Sequence, residues 1–312
     1  MKRSGIIALV CAAALVLSFA LAGCSSLMSE PYTPQGKSAE VSSPTIGKDG
    51  VLRVGVNTGN PPLAGSPSDS IIGIDVDVAA ALADELGLKL SVVDVKTDYE
   101  GALADGTIDI ALGVDSTAVS ANVWASDIYL PTTVALFSTS STAGAPASGS
   151  SVKIGAQISS VSAWAVTNEF GSSSLVTEAS LASAFKDLAS GAVDYVASDV
   201  LVGAYSAHTS GIDVYVAALV QKPAGYCIAV SKSNTSLQTA INAKIKNLDS
   251  GGIIKLIERK WLGTSLDLDS APLTPGATSA STTTTSSSDS SSESALASNL
   301  STGDIASNAI QQ

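Results

Sequence analysis

The chain is poor in reactive side chains: one histidine, three cysteines and two methionines in 312 residues, with aromatics at only 4%. One histidine and scattered cysteines leave almost nothing for a zinc or iron–sulfur site, so neither metal nor cofactor is expected. Charge is scarce as well, at 14% of residues, with 16 basic against 28 acidic side chains and a formal net charge of -12. A nucleic-acid partner needs a basic surface, which this composition excludes. No arginine occurs between Arg53 and Arg259, so most of the chain lacks the permanently charged fork that clamps carboxylates. Hydrophobic residues still make up 45%, enough to bury the cores of two compact units.

The first segment reads as an address. Met1-Lys2-Arg3 precedes the apolar run Gly5–Ala22, broken only by Ser18, which is the pattern of an export signal. A retained transmembrane helix is the alternative, since about 20 apolar residues span a bilayer. Cleavage is favoured because Leu21-Ala22-Gly23-Cys24 resembles the lipobox of bacterial lipoproteins, whose cysteine becomes the lipidated first residue. Residues 1–23 are then a signal peptide, and Cys24 carries a lipid anchor at the extracytoplasmic face of the bacterial cell membrane. Cys11 is lost with the leader and Cys24 is acylated, so Cys227 remains alone and no intramolecular disulfide can form. Its setting, Tyr226-Cys227-Ile228-Ala229-Val230, is apolar and points to a buried, inert thiol.

Residues 24–49, rich in Ser, Pro and Thr, read as a membrane tether. Residues 264–312 contain no Lys, Arg or aromatic side chain and run into Ser and Thr repeats, which predicts a disordered tail. Between them the pattern alternates. Val51–Val56 is an expected strand ended by Asn57-Thr58-Gly59-Asn60-Pro61-Pro62. Val78, Leu82 and Leu86 mark an amphipathic helix behind Asp75 and Asp77, with Gly87 as its stop. At that helix start the two carboxylates complement the dipole, a reading preferred over calcium binding. Leu88–Val95 and Ile108–Val114 are further strands, an order that implies an α/β fold with a largely parallel sheet. Leu103-Ala104-Asp105-Gly106-Thr107-Ile108-Asp109 is echoed by Leu188-Ala189-Ser190-Gly191-Ala192-Val193-Asp194. Two copies are too few for a solenoid and suit two similar lobes.

These landmarks resemble bacterial extracellular solute-binding proteins of family 3, the receptors of amino-acid-type ABC importers. The resemblance runs through most of 50–263. It rests on Leu52–Val56 with Pro61-Pro62, Gly73-Ile74-Asp75-Val76-Asp77-Val78-Ala79, and Gly106-Thr107-Ile108-Asp109. Further along it rests on Ser126-Asp127-Ile128-Tyr129-Leu130, Ser190–Asp194 with Asp199, and Lys260-Trp261-Leu262-Gly263. The resemblance implies a two-lobed periplasmic-binding-protein-like fold with hinge-linked lobes and a ligand cleft between them. Lobe 1 would comprise 50–134 and 227–263, and lobe 2 would comprise 135–226. The implied partners are a small-molecule solute and an ABC permease in the membrane; the protein is expected to be a monomer.

Members that bind α-amino acids hold the carboxylate with an Arg just after a Thr-containing turn. In Val114–Ala121, Thr117 matches the Thr, but Ser120 stands where the Arg is expected. Asp199 matches the family's acceptor for a ligand ammonium, and it is also a plausible helix N-cap. Asp115 adds a second acid beside Ser116. Ser159 and Ser160 precede the helix carrying Trp164 and can serve as ligand donors or as caps. Asn57 and Thr58 can bind ligand or form the turn. His208 reads as a helix-end residue before Gly211. Two acids without an Arg suit an amine better than a zwitterion. The function expected is therefore a lipid-anchored receptor for an amino acid or related amine, and not an enzyme. A receptor acting through protein contacts is the second reading, and a cyclohexadienyl-dehydratase-like enzyme the third. A Ser–His–Asp hydrolase is disfavoured because no Gly-x-Ser-x-Gly elbow occurs.

Overall fold

The computed structural model describes residues 37–147 and 149–278. The expected leader, Cys24 and the tail beyond Thr278 lie outside the described residues.

The alternating segment forms β1 (Val51–Val56), which buries Leu52, Val54 and Val56. A short ribbon of β2 (Gly59–Asn60) and β3 (Ala64–Gly65) follows, then α1 (Ile74–Glu85), which buries Ile74, Val78, Ala79 and Leu82 along one face. Next come β4 (Lys89–Asp94), α2 (Tyr99–Ala104) and β5 (Ile110–Asp115), with both strands parallel to β1. The chain then runs through β6 (Val123–Ala125) and β7 (Leu130–Thr132) to β8 (Val134–Ser138), where it changes sheet. In the second sheet β9 (Ile154–Gln157), β10 (Leu175–Glu178) and β11 (Tyr195–Asp199) are parallel, joined by α3 (Val161–Phe170) and α4 (Leu181–Ser190). After α5 (Val200–Thr209), β12 (Tyr215–Gln221) completes the outward path and β13 (Ala224–Ser231) returns to the first sheet. Helices α6 (Thr235–Ser250) and α7 (Ile253–Leu262) precede a final strand, β14 (Leu273–Thr278).

The strand orders are β4-β1-β5-β13-β6 and β10-β9-β11-β8-β12-β14, with β7 also paired to β13. Each half therefore has the first of its three parallel strands between the other two, followed by an antiparallel strand next to a crossing. Such an order leaves a crevice at the C-terminal ends of β1 and β5, and another at those of β9 and β11. One buried apolar cluster joins the halves, running from Val54, Leu82 and Ile241 to Phe185 and Leu201. Within it Phe137 and Phe185 meet edge to face, 5.6 Å between ring centroids.

The echoed sequence has a structural counterpart. Gly106 and Gly191 sit at φ 74° and 75° just past α2 and α4, a backbone region that glycine enters without strain. The aspartates that follow repeat one contact. The Asp109 N–H donates to the Arg53 carbonyl (2.8 Å) while its carboxylate accepts the Arg53 N–H (2.9 Å). The Asp194 N–H donates to the Lys153 carbonyl (2.8 Å) and its carboxylate accepts the Lys153 N–H (2.8 Å). Only the first copy is elaborated. Asp109 also accepts the Gly47 N–H at 2.8 Å and the Arg53 guanidinium at 2.7 and 3.2 Å.

Four expected boundaries are corrected. Residues 37–49 are not free tether: Ile46 is 1% exposed in the main core, and the Glu40 N–H donates to the Leu86 carbonyl at 3.0 Å. The crossings fall at Thr133 and at Lys222–Pro223, so Val134 belongs to the second sheet and Ala224–Tyr226 to the first. Ladder pairing sets both limits, and composition carried no trace of it. The order also extends past Gly263, because β14 pairs with β12. Backbone hydrogen bonding recruits these polar residues without needing an apolar face.

Asp109→Ala should cost about 3 kcal/mol, since it strands the partly buried Arg53 cation and two backbone N–H groups. Asp194→Ala, at an exposed position with one N–H partner, should cost about 1 kcal/mol. Urea unfolding of both variants checks the order.

Candidate ligand-binding site

The C-terminal ends of β5 and β11 and the start of β13 bring acids and phenols together. Asp199 ends β11. One of its oxygens accepts the Thr132 hydroxyl from β7 of the other sheet at 2.6 Å. The other accepts the N–H groups of Leu201 (3.0 Å) and Val202 (3.2 Å), capping α5. The capping role is thus in place, and a carboxylate has four acceptor positions, so room for a further donor remains. Burial raises the Asp199 pKa, and the nearby Asp115 charge pushes the same way, against the Thr132 hydroxyl and the two amides.

Asp115 ends β5 and is the register partner of Tyr226 on β13. Its exposed carboxylate accepts both the N–H and the hydroxyl of Thr117, each at 2.8 Å. The Ser116 hydroxyl accepts the Gly225 N–H at 3.2 Å, which pins this turn to β13. The Tyr226 hydroxyl is held protonated chiefly by burial, then by the fields of Asp199, Asp115 and Asp75, with the nearby Asn60 side chain opposing them. One phenol therefore lies in the field of three carboxylates.

Asp75 is the deepest of these, 1% exposed, and accepts the Tyr129 hydroxyl at 2.5 Å. That hydroxyl in turn accepts the Gly113 N–H at 3.0 Å. A Cβ on residue 113 would stand 2.6 Å from Asp75 Oδ2, so the close approach requires glycine there. Burial pushes the Asp75 carboxyl up to about 7, against the Tyr129 hydroxyl. The dipole role assigned to Asp75 and Asp77 is therefore incomplete. Both lie in the first turn of α1, but Asp77 also accepts Lys260 Nζ (2.6 Å) and Trp261 Nε1 (2.7 Å).

The remaining candidates are engaged in local structure. Asn57 Oδ1 accepts the Gly59 N–H at 3.0 Å, and the Thr58 hydroxyl donates to Asp94 at 2.8 Å. The Ser120 hydroxyl donates to Glu100 at 2.6 Å and accepts the Asn122 N–H at 3.1 Å. Ser160 caps α3 by accepting the Ala163 N–H at 3.0 Å, while Ser159 is exposed with φ 59°. Trp124 lines a surface groove with Gln238, Asn242 and Lys246. Cys227 is buried, and loss of water raises its thiol to about 11. Sequence reasoning grouped Asp115, Ser116, Thr117 and Asp199 with five further residues as ligand contacts; the structure sets Asp115 near Asp199, and it adds Tyr226, Thr132 and the depth of Asp75, which that reading did not name. Strand alternation carried a signal for Tyr226: with Cys227 turned into the core, its neighbour faces the other way. Among the described residues, no set of His, Cys, Asp or Glu is disposed to hold a metal, and no helix is long and apolar enough to cross a membrane.

A family model, bacterial extracellular solute-binding proteins family 3, matches residues 52–264. The chain belongs to that family. This family 3 protein is similar to an ancestral cationic amino acid solute binding protein (AncCDT-1), at 26% identity and a TM-score of 0.54. The match covers 68% of this chain and 96% of that one. A substrate binding protein of a polar amino acid ABC uptake transporter from Streptococcus thermophilus is 21% identical, with a TM-score of 0.58 over 70% of this chain and 88% of that one. The L-cystine solute receptor of Neisseria gonorrhoeae, in an unliganded open conformation, is 18% identical, with a TM-score of 0.55 over 70% and 95%. The last two share the two-lobed fold. No curated protein matches the chain. Membership places the protein among extracellular solute-binding proteins, outside the cytoplasm.

The Asp75 carboxyl yields a pH prediction. Folding raises its pKa, so the stability it lends is complete below the ordinary carboxyl range near pH 4 and is lost as pH rises through about 7. Asp75→Asn removes this titration. Its urea midpoint should fall less than the parent's between about pH 4.5 and about pH 7.5. Equal falls would show that Asp75 does not titrate in this range.

Proposed function

We propose that this family 3 protein is a lipid-anchored extracytoplasmic receptor that delivers an amine-bearing solute, an amino acid or a related amine, to an ABC importer. The observation carrying this reading is a pair of acids at strand ends, Asp115 as the register partner of Tyr226 and Asp199 joined to Thr132 of β7. No Lys or Arg occurs in 57–63, 115–122 or 158–160, the segments that leave β1, β5 and β9. A desolvated ammonium beside Asp115 and Asp199 gains charge-assisted hydrogen bonds, whereas an added carboxylate finds no fixed cation there. A solute with net positive charge fits best, and the likeness to a protein named for cationic amino acids supports the same direction. Anchoring rests on Leu21-Ala22-Gly23-Cys24, and delivery to a permease rests on family membership.

Matched pairs that differ only by a carboxylate test the reading: agmatine against arginine, cadaverine against lysine, putrescine against ornithine. Calorimetry on the mature chain should show binding within at least one pair, with the decarboxylated member at least about 10-fold tighter, about 1.4 kcal/mol. A tighter amino acid would mean that backbone N–H groups hold its carboxylate without an Arg. No binding in any pair would overturn the amine assignment. Asp199→Asn keeps an oxygen to cap α5 and should lower affinity at least about 10-fold by removing the charge alone.

A further inference from the structure

Family 3 closure is pictured as a rotation of two halves about two crossing strands, and here those crossings are Thr133 and Lys222–Pro223. They are tied to each other, since the Thr133 hydroxyl donates to the Gln221 carbonyl at 2.8 Å and Ala224 pairs with Thr132. The chain then connects the halves a third time. Helix α7 packs on α1 and α6 of the first half and on α5 of the second. It ends at Gly263, where a Cβ would stand 2.5 Å from His208 Nδ1 at the end of α5. From there the backbone crosses to the edge of the second sheet, burying Leu268, which is 5% exposed.

The far end of this crossing is fastened at three places. The Leu219 N–H donates to the Pro272 carbonyl at 2.8 Å, opening the pairing of β14 with β12. Between Leu273 and Thr278 the register slips, and Glu169 at the end of α3 fills the irregularity. Its carboxylate accepts the Thr274 hydroxyl and the Gly276 N–H, both at 2.8 Å. Finally, the Lys222 N–H donates to the Thr278 carbonyl at 2.8 Å, so the strand ends on the second crossing itself.

We propose that residues 264–278 are a strap that limits how far the two halves swing apart, with Glu169 as its latch and Thr278 bracing the hinge at Lys222. Without the strap, the outer edge of β12 in the second sheet is unpaired and only the two short crossings govern the rotation. The strap couples that edge to α7 on the first half, so opening must stretch 263–272 or detach β14. The inference stands on backbone pairing, independently of which solute binds.

The test is the inter-lobe distance in the mature full chain, with spin labels at Lys89→Cys and Lys186→Cys, one exposed site on each half. Cys227 is buried and takes no label. The parent should give a single narrow distance distribution. Glu169→Ala combined with Thr274→Val should broaden it toward longer distances and speed hydrogen exchange at the Lys222 amide. A chain stopped after Gly263 should broaden it further. If that shortened chain fails to fold, the double variant decides alone. A distribution unchanged from the parent's in the folded variants overturns the proposal.

Discussion

Everything at the ligand end of this molecule depends on a contact made at the opposite end of each sheet. Asp109 and Asp194 exchange hydrogen bonds with the residue just before the first register pair of the neighbouring parallel strand, Arg53 before Val54 and Lys153 before Ile154. A parallel ladder has no hairpin to set its register, so a side chain that accepts the first N–H and a backbone that returns it fix where the pairing begins. Once the register at that end is set, strand length decides where Asp115 and Asp199 emerge. The same device recurs in both halves, between the first and third of the parallel strands.

The site is polar in an unusual sense: its charges are of one sign. Asp75, Asp115 and Asp199 act on one phenol, and two of the three carboxyls are pushed upward by burial. Carboxyls without cations in a desolvated place are a cost to the folded state, and they persist where some other gain depends on them. Glu100, held by Ser120 and Asn122, extends the acidic character beyond β5. The hydrogen bond between Thr132 and Asp199 also spans the two sheets, so this carboxylate is already a joint between the halves.

Much of this was legible in the sequence, and the parts that were not share a reason. The alternation of Val51–Val56, the Val78-Leu82-Leu86 spacing and the repeated Gly-x-x-Asp each report local geometry, and local geometry is what single-sequence patterns encode. Asp115 and Asp199 were readable because they end strands. Thr58, Ser120 and Ser160 looked equally free in the sequence. Thr58 and Ser120 are bound to neighbours whose proximity comes from the fold, Asp94 and Glu100, whereas Ser160 makes the local cap that was one of its two expected roles. β14 was invisible for a related reason: Leu-Thr-Pro-Gly-Ala-Thr carries no apolar alternation, and its place is set by the open edge of β12. Ile46 was hidden within a Ser- and Pro-rich stretch that composition marks as linker.

The two ends of the described chain are fastened to different halves. Lys37 is paired with Asp84 and Glu85 on α1 of the first half, whereas Thr278 closes the edge of the second sheet. A pull applied between the N-terminal and C-terminal flanks therefore has no path that stays within one half. Its line of force runs across the hinge, and tension on the chain and the angle between the sheets become one mechanical variable.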